Sequence, residues 1–147
     1  MTFEEMQVMW GEDSKIDLAR LDQHSAESHH LMSKYMNIRS QERLMLAALE
    51  SEGVKLRWLR RQWLLGEVPI EKLRELGWDK NPIKVIKMEV NDYLEADDLL
   101  TKHTMKIAVS KEKVSFLEDV VKALSFRSTA IRNIIDNKRF EAGDHHR

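Results

Sequence analysis

Between Val54 and Gly66 the chain reads Val-Lys-Leu-Arg-Trp-Leu-Arg-Arg-Gln-Trp-Leu-Leu-Gly, with four basic residues, no acid and two of its four tryptophans. On a helix turning about 100° per residue, Arg57, Arg60 and Arg61 fall within one arc of roughly 100°. Trp58 and Trp63 flank that arc, and Leu56, Leu59 and Trp63 form an apolar face. Lys55 belongs to the same basic run. Arg39 and Arg43 project into the same arc further upstream, as does the acid Glu50. Guanidinium groups bracketed by flat indole rings suit a single-stranded nucleic acid, because cations neutralise phosphates while unstacked bases lie on the rings. Two other readings fit the pattern. A basic amphipathic segment with tryptophan also suits an anionic membrane surface, and the indoles could instead pack inside a helical hairpin. A second, looser basic set, Arg127, Arg132, Lys138 and Arg139, lies near the far end of the chain.

No other motif carries chemistry. There is no Gly-x-x-x-x-Gly-Lys loop, no Gly-x-Gly-x-x-Gly run and no His-Glu-x-x-His, so nucleotide and zinc fingerprints are missing and no cofactor is expected. The six histidines are poorly spaced as ligands: His24 with His29 or His30 does not complete a metal site, and no metal is expected. His103 reads as a polar residue tolerated in a packed seam, and His145 and His146 as part of a fraying tail. Asp97-Asp98 and Glu118-Asp119 are adjacent pairs that a helix splays about 100° apart, so neither converges as an acid/base pair. Serines and threonines form no nucleophile elbow. With no cysteine, thiolate chemistry and disulfides are excluded. The chain reads as a non-enzymatic protein.

The elements that would position the basic segment are helices. Gly and Pro together number only 7 of 147 residues (5 and 2), too few for the turns of a β-rich fold. Thr2 and Glu5 form a capping box that opens a short apolar segment, Phe3 to Trp10, with Gly11 after it. Asp13, Ser14 and Asp17 are candidate caps in the polar connection that follows. From about 21 to 65 no proline interrupts a run of helix formers. Gly53 is its weak point, costing about 1 kcal/mol relative to alanine and offering a place to kink. Gly66, Pro69, Gly77 and Pro82 mark a connecting region, 66–90, within which Ile70 to Leu76 can form a short helix between Pro69 and Gly77. From about 91 to 142 neither proline nor glycine occurs until Gly143.

That last run carries a heptad seam. Alternating steps of three and four from Leu100 meet His103, Ile107, Ser110, Val114, Leu117, Val121, Leu124, Ser128, Ile131 and Ile135. A second stripe, Phe116, Val120, Ala123 and Ile134, widens the apolar face beyond a two-stranded coil. A helix of this length is not expected to be buried by its own chain. The sequence therefore predicts an all-α protein: a long helical hairpin with an extended C-terminal helix that self-associates. An antiparallel hairpin folded on itself as a monomer is the alternative.

Charge is distributed in blocks. The net charge of −1 divides into −5 over residues 1–33, +4 over 34–65, −3 over 66–105, +4 over 106–139 and −1 in the tail. Such alternation suggests complementary surfaces, within one fold or between subunits, or simply solvated helix faces. The balance argues against binding through bulk positive charge. The longest apolar run, Leu44 to Leu49, is six residues against the roughly 20 that a spanning helix needs. Met1 to Glu12 carries acids rather than a basic region and an apolar run, so no secretory signal is expected.

The order and spacing of several stretches add a family likeness. The chain resembles the UvsY-type recombination mediators of large tailed phages, nearly end to end. The similarity is carried by Phe3-Glu4-Glu5-Met6-Gln7 with Met9-Trp10, Ser33-Lys34-Tyr35, the basic segment closing on Gly66, and Glu118-Asp119 onward. It is also carried by Ile131-Arg132-Asn133-Ile134-Ile135 through Arg139-Phe140-Glu141-Ala142-Gly143. The resemblance implies a single helical domain over 1–147 that forms a closed homo-oligomeric ring of about six or seven subunits. It implies binding of single-stranded DNA. Its further partners would be a RecA-like recombinase and the single-strand DNA-binding protein that the recombinase must displace. The setting is the host cell cytoplasm, with no membrane partner.

Aligned on Gly66, the arginine of the family's DNA-contact element falls on Arg60. The preceding basic position falls on Trp58, a departure that Arg57 and Arg61 could offset, and the aromatic pair falls on Trp63 and Leu64. The expected DNA-contact set is thus Lys55, Arg57, Trp58, Arg60, Arg61 and Trp63 with Arg39 and Arg43. The family's oligomerisation region corresponds to the seam residues Leu100, Ile107, Val114, Leu117, Val121, Leu124, Ile131 and Ile135. A coiled-coil scaffold that binds no DNA remains the alternative function.

Overall fold

The computed structural model describes residues 1–143, so His145 and His146 lie outside the described residues. All its regular structure is helical: α1 (Phe3–Asp13), a 3-10 turn (Leu18–Arg20), α2 (Leu21–Leu64), α3 (Ile70–Leu76), α4 (Val90–Glu95) and α5 (Asp98–Glu141). α1 starts as its capping box dictates, with Thr2 Oγ1 accepting from the Glu5 amide and Glu5 Oε2 accepting from the Thr2 amide. Gly11 does not end it. The helix continues to Asp13, with Ser14 as its C-cap, because glycine in a helix costs only about 1 kcal/mol.

The chain divides into two compact units, Met1–Leu44 with Lys111–Arg147, and Met45–Ser110. In the first unit, α1, the N-terminal half of α2 and the C-terminal half of α5 enclose Met6, Tyr35, Leu117, Val120 and Leu124. Phe3 packs edge-on against Phe116 at 5.6 Å, and Trp10 against Tyr35 at 5.4 Å. Part of the α5 seam is covered within the chain itself. Val114, Leu117, Leu124 and Ile131 are buried within the chain, and Ile107, Val121 and Ile135 are half-covered. The reason is α1. It fills the groove that a two-helix hairpin leaves open, so Met6, Met9 and Trp10 meet the broad apolar face that suggested a partner subunit.

Polar ties reinforce this unit. The Asp13 carboxylate accepts from Lys34 Nζ (2.7 Å) and Tyr35 Oη (2.8 Å). Burial pushes the Asp13 carboxyl up, but the two hydrogen bonds and the charges of Lys34 and Arg127 outweigh it and hold its pKa below the usual carboxylate range. Burial, then the Asp13 carboxylate, pushes the Tyr35 phenol far above its own. Asp17 acts as a cap, accepting from the Ala19 amide. Arg127 is buried and donates to the backbone oxygen of Asp13 at 2.9 Å.

In the second unit, the C-terminal half of α2, the connecting region and the start of α5 surround Leu64, Val85, Val90 and Leu94, with Trp63, Leu65 and Leu100 against them. Gly66 ends α2 at φ +72°. Its amide and that of Glu67 bond back to the oxygens of Trp63 and Gln62, the double closure that favours glycine in the left-handed region. Gly53 gives α5 room for close approach: a Cβ there would stand 3.1 Å from the His103 ring. His103 Nε2 lies 2.6 Å from the Leu49 carbonyl oxygen, so this seam histidine has a specific partner.

The expected single helix over 91–142 is also corrected. It breaks after α4 at Ala96-Asp97. Asp97 caps α5 from outside, its carboxylate accepting from the Leu100 amide (3.1 Å). An N-capping aspartate adopts extended rather than helical backbone and satisfies an orphan amide, which ends the shorter helix and starts the longer one.

Candidate nucleic-acid interface

The Val54–Gly66 segment forms the last three turns of α2, and the structure separates its cations into two groups. Lys55, Arg57 and Trp58 are exposed and Arg61 is half-exposed. Lys55, Trp58 and Arg61 are spaced by three residues, so their side chains neighbour one another on one face. Trp58 is 63% exposed, and an indole this open contributes little to the core of its own chain. A large aromatic side chain standing in solvent between two cations offers one flat apolar surface beside positive charge.

Arg60 faces the other way. Its Nε and Nη2 donate to the Asp97 carboxylate at 2.8–3.2 Å, and the pair is nearly buried, at 11% and 6% side-chain exposure. The guanidinium lies 4.2 Å from the Trp63 ring and 4.8 Å from the Trp78 ring, so indoles flank it while the carboxylate takes its edge. Trp63 is held in turn, donating from Nε1 to the Asp79 carbonyl oxygen at 2.6 Å. Within the chain, Trp63 is thus packed and Trp58 is not. In this structure the Arg60 guanidinium, expected to meet phosphate, joins α2 to the cap of α5 instead. The helical arc placed Arg57, Arg60 and Arg61 together, but only the position of Asp97 shows which of them is taken.

Arg39 and Arg43 belong to the first unit. Arg39 is half-buried with its Nε unpartnered, and Arg43 pairs on the surface with Glu118 at 2.8 Å. The looser distal set is also partly occupied, since Arg127 is buried and Lys138 Nζ donates to the Leu18 carbonyl oxygen at 2.9 Å. Sequence reading missed Asp97 and Trp78 as partners of Arg60. The Asp-Asp-Leu-Leu start of α5 was a usable capping signal; nothing local announced Trp78. Among the described residues no group of three or more His, Asp or Glu side chains could hold a metal ion, and no helix is long and apolar enough to cross a membrane.

Comparison with known proteins agrees with this architecture. The family model for "Recombination, repair and ssDNA binding protein UvsY" matches residues 9–144. The chain belongs to the UvsY family. Crystal structures of the bacteriophage T4 recombination mediator protein UvsY share its fold. One lattice form aligns at TM-score 0.80 and 22% identity, covering 97% of this chain and 98% of that one. A second gives 0.80 and 21%, covering 95% and 99%, and a third 0.74 and 21%, covering 93% and 98%. No curated protein sequence matches the chain. The solved structures support an all-helical fold for this chain.

Proposed function

We propose that this UvsY-family chain is a non-enzymatic recombination mediator. It binds single-stranded DNA and helps load a RecA-like recombinase onto DNA coated with single-strand binding protein, in the cytoplasm of an infected cell. The observation that carries the reading is the exposed Trp58 between Lys55 and Arg61 at the end of α2. Lys55, Arg57 and Arg61 neutralise phosphates while a base stacks on Trp58. Arg60 and Trp63 stand behind this face and fix the helix end that presents it. Arg39 and Arg43 belong to the other unit, where Arg43 pairs with Glu118, and lie outside this reading.

The chain self-associates into a closed ring, with α5 supplying the contact. Of its seam residues, Val114, Leu117, Leu124 and Ile131 are buried in the subunit's own core, while Leu100, Ile107, Val121 and Ile135 are part-covered. What remains for partners is the outward side of the helix, Met105 and Val109 in the second unit and Phe126 in the first, all exposed. Repeating the DNA face around a ring multiplies weak contacts along one strand. Loading then needs no nucleotide site: DNA held by the ring is offered in a form the recombinase prefers, which is differential binding.

The test uses the purified protein, its cognate recombinase and an oligonucleotide coated with single-strand binding protein. The recombinase's lag before ATP hydrolysis should shorten as the protein is added, and the protein alone should hydrolyse none. A lag that does not change across protein concentrations rejects the reading.

A further inference from the structure

Between α3 and α4 the chain runs Lys80-Asn81-Pro82-Ile83-Lys84-Val85-Ile86-Lys87-Met88, three lysines interleaved with aliphatic residues and no acid. It forms no helix, with only a turn at residues 87–89. It is nevertheless well anchored. Val85 is buried with Leu64, Val90 and Leu94. Asn81 Nδ2 donates to the Leu64 carbonyl oxygen (3.0 Å) while its Oδ1 accepts from the Ile83 amide (3.1 Å). Trp63 Nε1 holds the preceding Asp79 carbonyl oxygen.

The anchoring turns the remaining side chains outward. Ile83 is 57% exposed, Ile86 49% and Met88 91%. Lys80, Lys84 and Lys87 are exposed, and among the described residues none of them has a carboxylate within ion-pair distance. Aliphatic side chains held open together and rimmed by charged groups mark an interaction surface.

We propose that this strap is a docking surface for an acidic peptide segment of another protein, one that carries aliphatic side chains among its carboxylates. Charge complementarity selects the acid, and Ile83, Ile86 and Met88 select the aliphatic component. Nucleic acid fits less well: the exposed apolar groups here are aliphatic and offer no ring on which a base can stack, in contrast to the Trp58 face. A second copy of the chain fits less well too. Most acids of its strongly acidic opening block are already engaged, Glu5 with the Thr2 amide, Glu12 with Lys15, Asp13 with Lys34 and Asp17 with the Ala19 amide. The strap goes beyond the proposed DNA contact and uses none of its residues.

The probe is a fluorescent 12-residue peptide of alternating aspartate and leucine, with a second peptide in which serine replaces leucine. Anisotropy titrations use the full-length protein, Lys84→Ser/Lys87→Ser and Ile86→Ser/Met88→Ser. The exposed positions leave folding intact, which thermal melting checks. The leucine peptide should bind, each double variant should weaken it roughly tenfold or more, and the serine peptide should bind at least about tenfold more weakly. Trp58→Ala should bind the peptide as the parent does. The proposal is overturned by no peptide binding, or by equal affinity for both peptides. It is equally overturned if the strap variants lose oligonucleotide affinity as Trp58→Ala does, or if they change the native mass, which would assign the strap to DNA or to a second copy.

Discussion

Arg57, Arg60 and Arg61 are neighbours in sequence and share a helical arc, yet one carboxylate divides their tasks. Asp97 takes the Arg60 guanidinium, caps α5 and is nearly excluded from solvent. Breaking a buried pair leaves an uncompensated charge, so Asp97→Asn should lower unfolding stability by about 3 kcal/mol. It should also weaken oligonucleotide binding, because the end of α2 loses its anchor. Were Arg60 a direct phosphate ligand, deleting the acid beside it would strengthen binding, and anisotropy titration of this variant separates the two. The pattern around Arg57 to Trp63 was legible as basic and aromatic from sequence. Which indole was free was not, because Trp78 and Asp97 reach the site from 15 and more residues further along the chain. Periodicity ranks positions on a helix by angle, but it does not say which angle the rest of the chain covers.

At the scale of the elements, both long helices were readable because no proline and few glycines interrupt them. α2 starts and ends where its composition changes. Gly53 shows the limit of propensity. Alanine there should gain about 1 kcal/mol in helix propensity, but its Cβ would stand 3.1 Å from a His103 ring that is held at the Leu49 carbonyl. Gly53→Ala should therefore lower the urea midpoint, and a raised midpoint would show that the ring yields. The heptad seam of α5 is real as an apolar stripe, and within one chain it packs partly against α1 and α2. Three-four spacing records that a face is buried, not whether the burying helix belongs to the same chain. Leu117 is fully buried beneath α1 and α2. Leu117→Asp should accordingly lose helical circular dichroism together with native mass, since a buried unpaired carboxylate costs several kcal/mol. Loss of mass with helicity intact would return Leu117 to a subunit interface.

For the whole molecule, pH dependence follows from the first unit's polar tie. The Asp13 carboxyl has a folded pKa held below its unfolded value of about 3.9 by Lys34 and Tyr35. A depressed folded pKa means a contribution present above the unfolded value and lost as pH falls through the folded one. Stability should thus drop more steeply below about pH 4 for the parent than for Asp13→Asn. Urea midpoints between pH 3 and 6 check it, and parallel curves would mean that Asp13 titrates normally. The near-neutral net charge agrees with the proposed reading, in which DNA affinity comes from one face repeated in an assembly rather than from bulk charge.

The central claim is that single-stranded DNA lies across Lys55, Arg57, Trp58 and Arg61, and a salt titration of fluorescent oligonucleotide binding tests it most directly. Arg57→Ala should reduce the logarithmic salt slope by about 0.7 per bound subunit, weakening all sequences alike. Trp58→Ala should lose about 1–3 kcal/mol per stacked base with the slope almost unchanged, and with no loss of thermal stability because the indole is already in solvent. Parental affinity and slope in both variants would contradict the account and move the DNA to another surface.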